Sequence, residues 1–400
     1  MQTNHRTFIL ISLLIAILVI TGCNADASAG LFRQISESTT PVGIQYRQLL
    51  DKQASDLYFT TTQGIYATDG NTSTRIKANS KRSRNLAAYL DSSKNRVLFL
   101  INELESNTNS AIVRSVSTAS PYIESANLSP TYSALTSVVT QNLYANGLFR
   151  IQGNDSINGK TFVLATYDDT TPASPVYTKV IDFSEVGDSL TGYSIDSVLQ
   201  MTGKDANSLS STDPIIVSFA TDAGDYLHYY TNGTFKHSLV LNTRLANFTI
   251  INGKLYILTT DGKLYSAGAI PTAAGTTTLT NTNVLASSNK VYDPNAFMYG
   301  VRDAAGSINH IITKSKSLND PLYVLSFSDS ATTATAESIR YGYGEYLDSA
   351  EIVSTYEKSA NNLLVATAEN GMFEITIIPS SANSNSASNG TSSESEDYTL

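Results

Sequence analysis

Residues 254–268 read KLYILTTDGKLYSAG, and the same plan returns along the whole chain. Leu255, Ile257 and Thr259 alternate with Tyr256, Leu258 and Thr260, the two-residue period of a β-strand. Asp261-Gly262 supplies the left-handed backbone of a two-residue hairpin. Leu264-Tyr265 then restarts the strand. Residues 56–70 (DLYFTTTQGIYATDG) turn at Gln63-Gly64, residues 362–376 (NLLVATAENGMFEIT) at Asn370-Gly371, and residues 215–230 (IIVSFATDAGDYLHYY) at Ala223-Gly224. Looser copies span 96–116, 161–183 and 309–327, with the longer polar turns ELESNTNSA, DDTTPASP and KSLNDP. Strand starts fall near 57, 97, 161, 215, 255, 310 and 363, a mean interval of about 51 residues.

One such hairpin cannot bury both of its faces. Repeats of about 40–50 residues, each with several strands, solve this by packing sheets as blades in a ring. The expected fold is therefore all-β, a β-propeller over residues 32–379 with seven blades, eight being the next arrangement. The hairpins would be inner or middle strands. Residues 138–151 (VVTQNLYANGLFRI) and 351–358 (EIVSTYEK) have the pattern for further strands. Residues 44–55 fit a short helix or a strand and turn equally well. The competing architecture is an irregular two-domain β protein or a solenoid. Composition agrees with strands: 41% hydrophobic residues, 23 Tyr and 13 Phe, with only 15% charged. Residues 380–400, rich in Ser and Asn, are expected to form a disordered polar tail.

The start of the chain is a separate problem. Phe8 to Ile20 reads FILISLLIAILVI, thirteen residues with only Ser12 polar. As a helix that run covers about 20 Å, short of the roughly 30 Å bilayer core. A charged start, a short apolar run and small residues at its end are the layout of a secretory signal. Ile20-Thr21-Gly22-Cys23 then resembles the lipobox of bacterial lipoproteins. That resemblance implies a signal peptide over 1–22, cleavage before Cys23, and acylation of Cys23 as the membrane anchor, with residues 23–31 as tether. Cys23 is the only cysteine, so it has no disulfide partner within the chain. Asn24, where inner-membrane lipoproteins of enteric bacteria resemble one another in carrying Asp, favours an outer-membrane address.

Removing the signal takes Arg6 from the 26 basic residues and nothing from the 35 acidic ones, leaving a net charge near −10. Nucleic acid binding, which needs a concentrated basic face, is not expected. The one basic cluster, Lys77, Lys81, Arg82 and Arg84, reads as a solvated loop.

No motif carries catalysis. Residues 153–161 (GNDSINGKT) place five residues, not four, before Gly-Lys-Thr, and a β run follows instead of a helix, so this is a turn and not a phosphate loop. His228, His237 and His310 lack the spacing of zinc ligands and are expected to be structural. Asp168-Asp169 and Glu103/Glu105 are carboxylate pairs read as solvated turns, since glycosidase chemistry needs a set separation in space. Gly192, Ser194 and Asp196 miss the nucleophile-elbow pattern at the last position. No cofactor and no metal are expected. Trp is absent, whereas WD, kelch, quinoprotein and sialidase repeats commonly carry one per blade, so no named propeller repeat is matched. The leading functional expectation is a monomeric, membrane-tethered, non-catalytic scaffold for an envelope or surface protein. A surface adhesin or glycan-binding module and a propeller-type hydrolase or lyase are the alternatives.

Overall fold

The strands pair in the order in which the chain makes them. A computed structural model describes residues 45–376 apart from short loops and the stretches 183–197, 203–213, 288–296 and 340–350, together with the pair 393–394. The described residues belong to one folded unit, Gln45–Tyr398. The signal, Cys23, the tether and most of the tail lie outside the described residues.

Seven sheets are formed by the described strands. The first is β1 (Tyr46–Gln53), β2 (Asp56–Thr61), β3 (Gly64–Thr68) and β4 (Ser73–Ala78). The second is β5 (Ser83–Asp91), β6 (Arg96–Glu103) and β7 (Ile112–Ser117), extended by single bridges from Val113 to Leu128 and Val116 to Glu124. The third is β8 (Thr136–Leu143), β9 (Phe149–Asp155), β10 (Gly159–Asp168) and β11 (Val176–Asp182). The fourth is β12 (Val198–Thr202), β13 (Pro214–Thr221), β14 (Gly224–Thr231) and β15 (Thr234–Leu241). The fifth is β16 (Leu245–Ile251), β17 (Lys254–Thr259) and β18 (Lys263–Ala269), after which β19 (Gly275–Thr278) crosses to the fourth sheet before β20 (Val284–Ser287) completes the fifth. The sixth is β21 (Phe297–Arg302), β22 (Ile308–Lys314), β23 (Leu322–Ser328) and β24 (Thr335–Ile339). The seventh is β25 (Ile352–Ser359), β26 (Asn362–Thr367), β27 (Met372–Thr376) and a two-residue β28 (Ser393–Glu394) taken from the tail. The one helical element among the described residues is a 3-10 turn, Ser92–Lys94.

The hairpins read from the sequence are the middle strands. Those strands are covered on both faces, so they read as nearly continuous apolar runs: Leu57–Thr61 of β2 and Leu255–Thr259 of β17 are buried throughout. Outer strands see solvent and are polar, as in β4. In the third sheet the phase differs from expectation. The hairpin beginning at 161 is the third and fourth strands, and residues 138–151 hold the first two. The ambiguous 44–55 segment is a strand, β1, ending in a turn.

Faces of neighbouring sheets meet in apolar clusters. Ile65, Ala88, Val97 and Phe99 join the first and second sheets. Leu100, Val113, Phe149 and Val163 join the second and third. Leu227, Leu239, Phe248 and Leu255 join the fourth and fifth, Leu258, Leu264, Ile311 and Leu325 the fifth and sixth, and Ile312, Leu322, Leu363 and Val365 the sixth and seventh. The last sheet returns to the first, where β1 packs against β25 and β26.

A polar device recurs between first strands. The Ala88 amide of β5 donates to Gln48 Oε1 of β1 at 3.1 Å, the Gly300 amide of β21 to Thr249 Oγ1 of β16 at 3.1 Å, and the Leu49 amide of β1 to Ser354 Oγ of β25 at 2.9 Å. The three donors occupy equivalent places, each opposite the fourth residue of its sheet's second strand (Phe59, Phe99, Ile311). First strands therefore approach closely. A Cβ on Gly300 would lie 2.6 Å from Ile251 Cγ1.

Candidate functional site

Strands run alternately, so the turns after first and third strands share one face of the molecule. The remaining turns and the sheet-to-sheet connections share the other. The first face is held by ion clusters that cross from sheet to sheet. Arg96 Nε donates to Asp91 Oδ2 at 3.0 Å within the second sheet, and its guanidinium also binds Asp169, in the turn after β10 of the third sheet. Lys94 joins the same carboxylate. Partial burial works against the Asp169 charge, but hydrogen bonds and charge from Arg96 and Lys94 hold its carboxyl below the usual range. Arg96 also lies 5.4 Å above the Tyr167 ring. That phenol is pushed up to about 12 by burial and by Asp169.

The sixth sheet repeats the arrangement. Asp329, in the turn after β23, accepts from Asn309 Nδ2 and Arg302 at 2.8 Å each and lies 3.9 Å from Lys254 of the fifth sheet. The Asn309 hydrogen bond is the largest single cause that lowers its pKa, followed by the charges of Arg302 and Lys254. Asp169 is thus held between cations of the second sheet and is not the solvated turn residue expected, while Asp168 Oδ1 accepts from the Thr170 amide at 2.9 Å within the turn. Glu105 lies outside the described residues, as do Gly192, Ser194 and Asp196. Of the basic cluster, Lys77 pairs with Glu124 at 3.3 Å, while Lys81 and Arg82 lie outside the described residues.

The histidines do not converge. His228 and His237 lie on adjacent strands of the fourth sheet. His237 sits opposite Tyr229, so it takes the other face from His228. Its Nε2 is 2.9 Å from Thr277 Oγ1 and its Nδ1 is 3.3 Å from the Ala273 carbonyl. His310 belongs to the sixth sheet, with Nδ1 2.9 Å from Ser326 Oγ. No group of three or more His, Cys, Asp or Glu side chains suited to a metal occurs among the described residues. Residues 153–155 pair with 159–161 across the β9–β10 hairpin, Gly159 opposite Asp155, and the three residues between them lie outside the described residues.

One set of residues escaped the sequence reading although its signal was present. The sixth residue of the second strand is a fully buried threonine in four sheets: Thr61, Thr259, Thr313 and Thr367. Three of them reach across their hairpin. Thr367 Oγ1 donates to the Gly371 carbonyl at 2.8 Å, Thr259 Oγ1 to that of Lys263 at 3.2 Å, and Thr61 Oγ1 to that of Gly64 at 3.5 Å. Aligning the repeats by position exposes the column.

The second face carries a polar cleft of about 380 Å³ between the fourth and fifth sheets. Leu241, Asn242 and Thr243 come from the connection after β15, Asp261 and Lys263 from the β17–β18 hairpin, Tyr265 from β18, and Leu279 and Thr280 from the chain after β19. Beside it, buried Asp225 accepts from Arg244 at 2.9 Å and from the Leu245 amide at 2.6 Å, which fixes that connection.

No family profile matches the sequence, and no curated protein matches it either. Solved structures are similar in fold. KlAtg21, solved as a complex with the coiled-coil of AgAtg16, has a TM-score of 0.50 at 7% identity, over 84% of this chain and 95% of that one. Sqt1 of Saccharomyces cerevisiae has a TM-score of 0.47 at 8% identity, over 88% of this chain and 84% of that one. Kluyveromyces lactis Hsv2 has 0.45 at 7%, over 85% and 95%. Consecutive small antiparallel sheets, packed face to face and returning from last to first, define the class: a β-propeller. At these identities the likeness bears on fold alone.

Proposed function

We propose that this chain is a seven-bladed propeller lipoprotein, anchored through Cys23 in the bacterial outer membrane, that serves as a non-catalytic scaffold for an envelope protein. The observation that carries the scaffold reading is the set of ion clusters on the first face. Asp91–Arg96–Asp169 and Arg302–Asp329–Lys254 tie turns of adjacent sheets together. Loops fixed before a partner arrives lose little entropy on binding, which makes such a face a suitable platform. Two large apolar side chains stand exposed on its rim. Ile123 and Val176 follow third-strand turns of neighbouring sheets and are 68% and 39% exposed. KlAtg21 bound to the AgAtg16 coiled-coil is a precedent at the level of fold for a protein partner. The lipobox-like Ile20–Cys23 supports the anchor.

Two experiments test the two halves. Photo-crosslinking amino acids at positions 123 and 176 in cells, with exposed Thr74 as control, are expected to capture the same envelope protein from 123 and 176 and not from 74. Equal capture at all three positions, or none, overturns the platform. Cys23→Ser is expected to abolish fatty-acid labelling and release the protein from membranes. A mutant that keeps both refutes the anchor.

A further inference from the structure

The fifth sheet breaks the repeat in one place. Between its third and fourth strands the chain leaves for the fourth sheet, where β19 pairs with β15 from His237 opposite Gly275 to Val240 opposite Thr278. This is the one parallel ladder between strands among the described residues. The detour adds almost nothing to the core. Gly275, Thr276, Thr277 and Thr278 are all exposed, and only Leu279 turns inward, 5% exposed. Ordering a strand costs about 1–2 kcal/mol per residue in backbone entropy. No apolar burial along β19 offsets that cost. What the detour does build is a wall: Leu279 and Thr280 close one side of the second-face cleft.

The cleft's volume, about 380 Å³, is in the range of small-molecule sites. Its floor is apolar and buried, formed by Leu241, Leu279 and the Tyr265 ring. Its rim offers hydrogen-bonding groups from separate chain segments: the Asn242 amide, the Thr243 and Thr280 hydroxyls, and Asp261 with Lys263. Those two charges neutralise each other, Lys263 Nζ lying 3.1 Å from Asp261 Oδ2 with both side chains partly exposed. A charged ligand would face one of them with like sign. A neutral ligand with several hydroxyls would meet both donors and acceptors, while its C–H face covers the floor. Burial pushes the Tyr265 phenol above its ordinary range.

We propose that the cleft between the fourth and fifth sheets binds a neutral sugar residue, its ring on Tyr265, Leu241 and Leu279 and its hydroxyls on Asn242, Thr280 and the Asp261–Lys263 pair. This goes beyond the scaffold reading and uses the opposite face, so either can fail without the other. The test is saturation-transfer NMR on the full-length protein in detergent, with glucose, galactose, mannose and N-acetylglucosamine as probes. At least one is expected to bind saturably in the millimolar range. Asn242→Ala and Lys263→Met are expected to weaken it about tenfold, equivalent to about 1.4 kcal/mol, with melting temperature unchanged. Thr280→Ala, at an exposed position, serves if either of those misfolds. Absence of saturable binding to all four sugars overturns the proposal. So does binding that the variants leave intact, or a response to acetate or methylammonium without one to sugar.

Discussion

A single buried imidazole sets part of this protein's acid sensitivity. His228, in the middle of β14, is 1% exposed and lies 5.2 Å from the Phe235 ring and 6.4 Å from those of Tyr226 and Tyr230. Burial lowers its pKa from 6.5 to about 4. The unfolded chain therefore binds a proton between about pH 6.5 and 4 that the folded one refuses. Stability from this residue is complete above pH 6.5 and is lost as pH falls through that window, by on the order of 3 kcal/mol in total. Urea unfolding at pH 7 and pH 4.5 should show a loss about 2 kcal/mol smaller for His228→Phe than for the parent. Equal losses would mean that His228 is not held neutral. Its place beside two tyrosines in a strand already pointed to a buried or half-buried structural residue, and at 1% exposure it is one. Burial depends on Phe235 and on which face of the sheet is covered.

At the scale of the element, the central hairpins of the first, fifth and seventh sheets carry a second, polar lock. The threonine at the end of the second strand satisfies a carbonyl inside the turn, where water is excluded. Thr367→Val keeps the shape, removes the hydroxyl and leaves the Gly371 carbonyl without that donor. That carbonyl keeps the Thr367 amide at 2.9 Å, so the expected cost is that of one hydrogen bond, about 0.5–1.5 kcal/mol, read as a lower urea midpoint with unchanged slope. No change in midpoint would show that the lock is ornamental. These hairpins were legible in the sequence because both signals are local: a turn residue with left-handed backbone, as at Gly262 (φ 81°), and apolar residues on both sides of it. The phase of the third sheet was not legible. Its β9–β10 and β10–β11 hairpins both look like strand, turn and strand, and only pairing to the neighbouring sheet says which strand is innermost. The acceptors Gln48, Thr249 and Ser354 were invisible for a related reason. They differ in residue type and act between strands about 40, 50 and 300 residues apart.

At the scale of the whole molecule the constraint is closure. The first sheet has a face that only the last sheet covers, through β1 against β25 and β26 and the bond from the Leu49 amide to Ser354. A chain ending at residue 350 keeps six sheets but uncovers that face of the first and the outward face of the sixth, including Ile312 and Leu322. It is expected to lose cooperative thermal unfolding and to aggregate, as judged by calorimetry and light scattering. A sharp transition at the parent's temperature would show that the sheets are stable without the ring.

The hairpins, their return at about 51-residue intervals and the lipobox-like segment were legible in the chain because each is written in neighbouring residues. Which strand lies innermost, which carboxylates pair with which cations, and where β19 leaves its own sheet to wall a cleft emerge only when the chain is folded. Those outcomes rest on contacts between distant segments, whose free energy depends on geometry that no local pattern records.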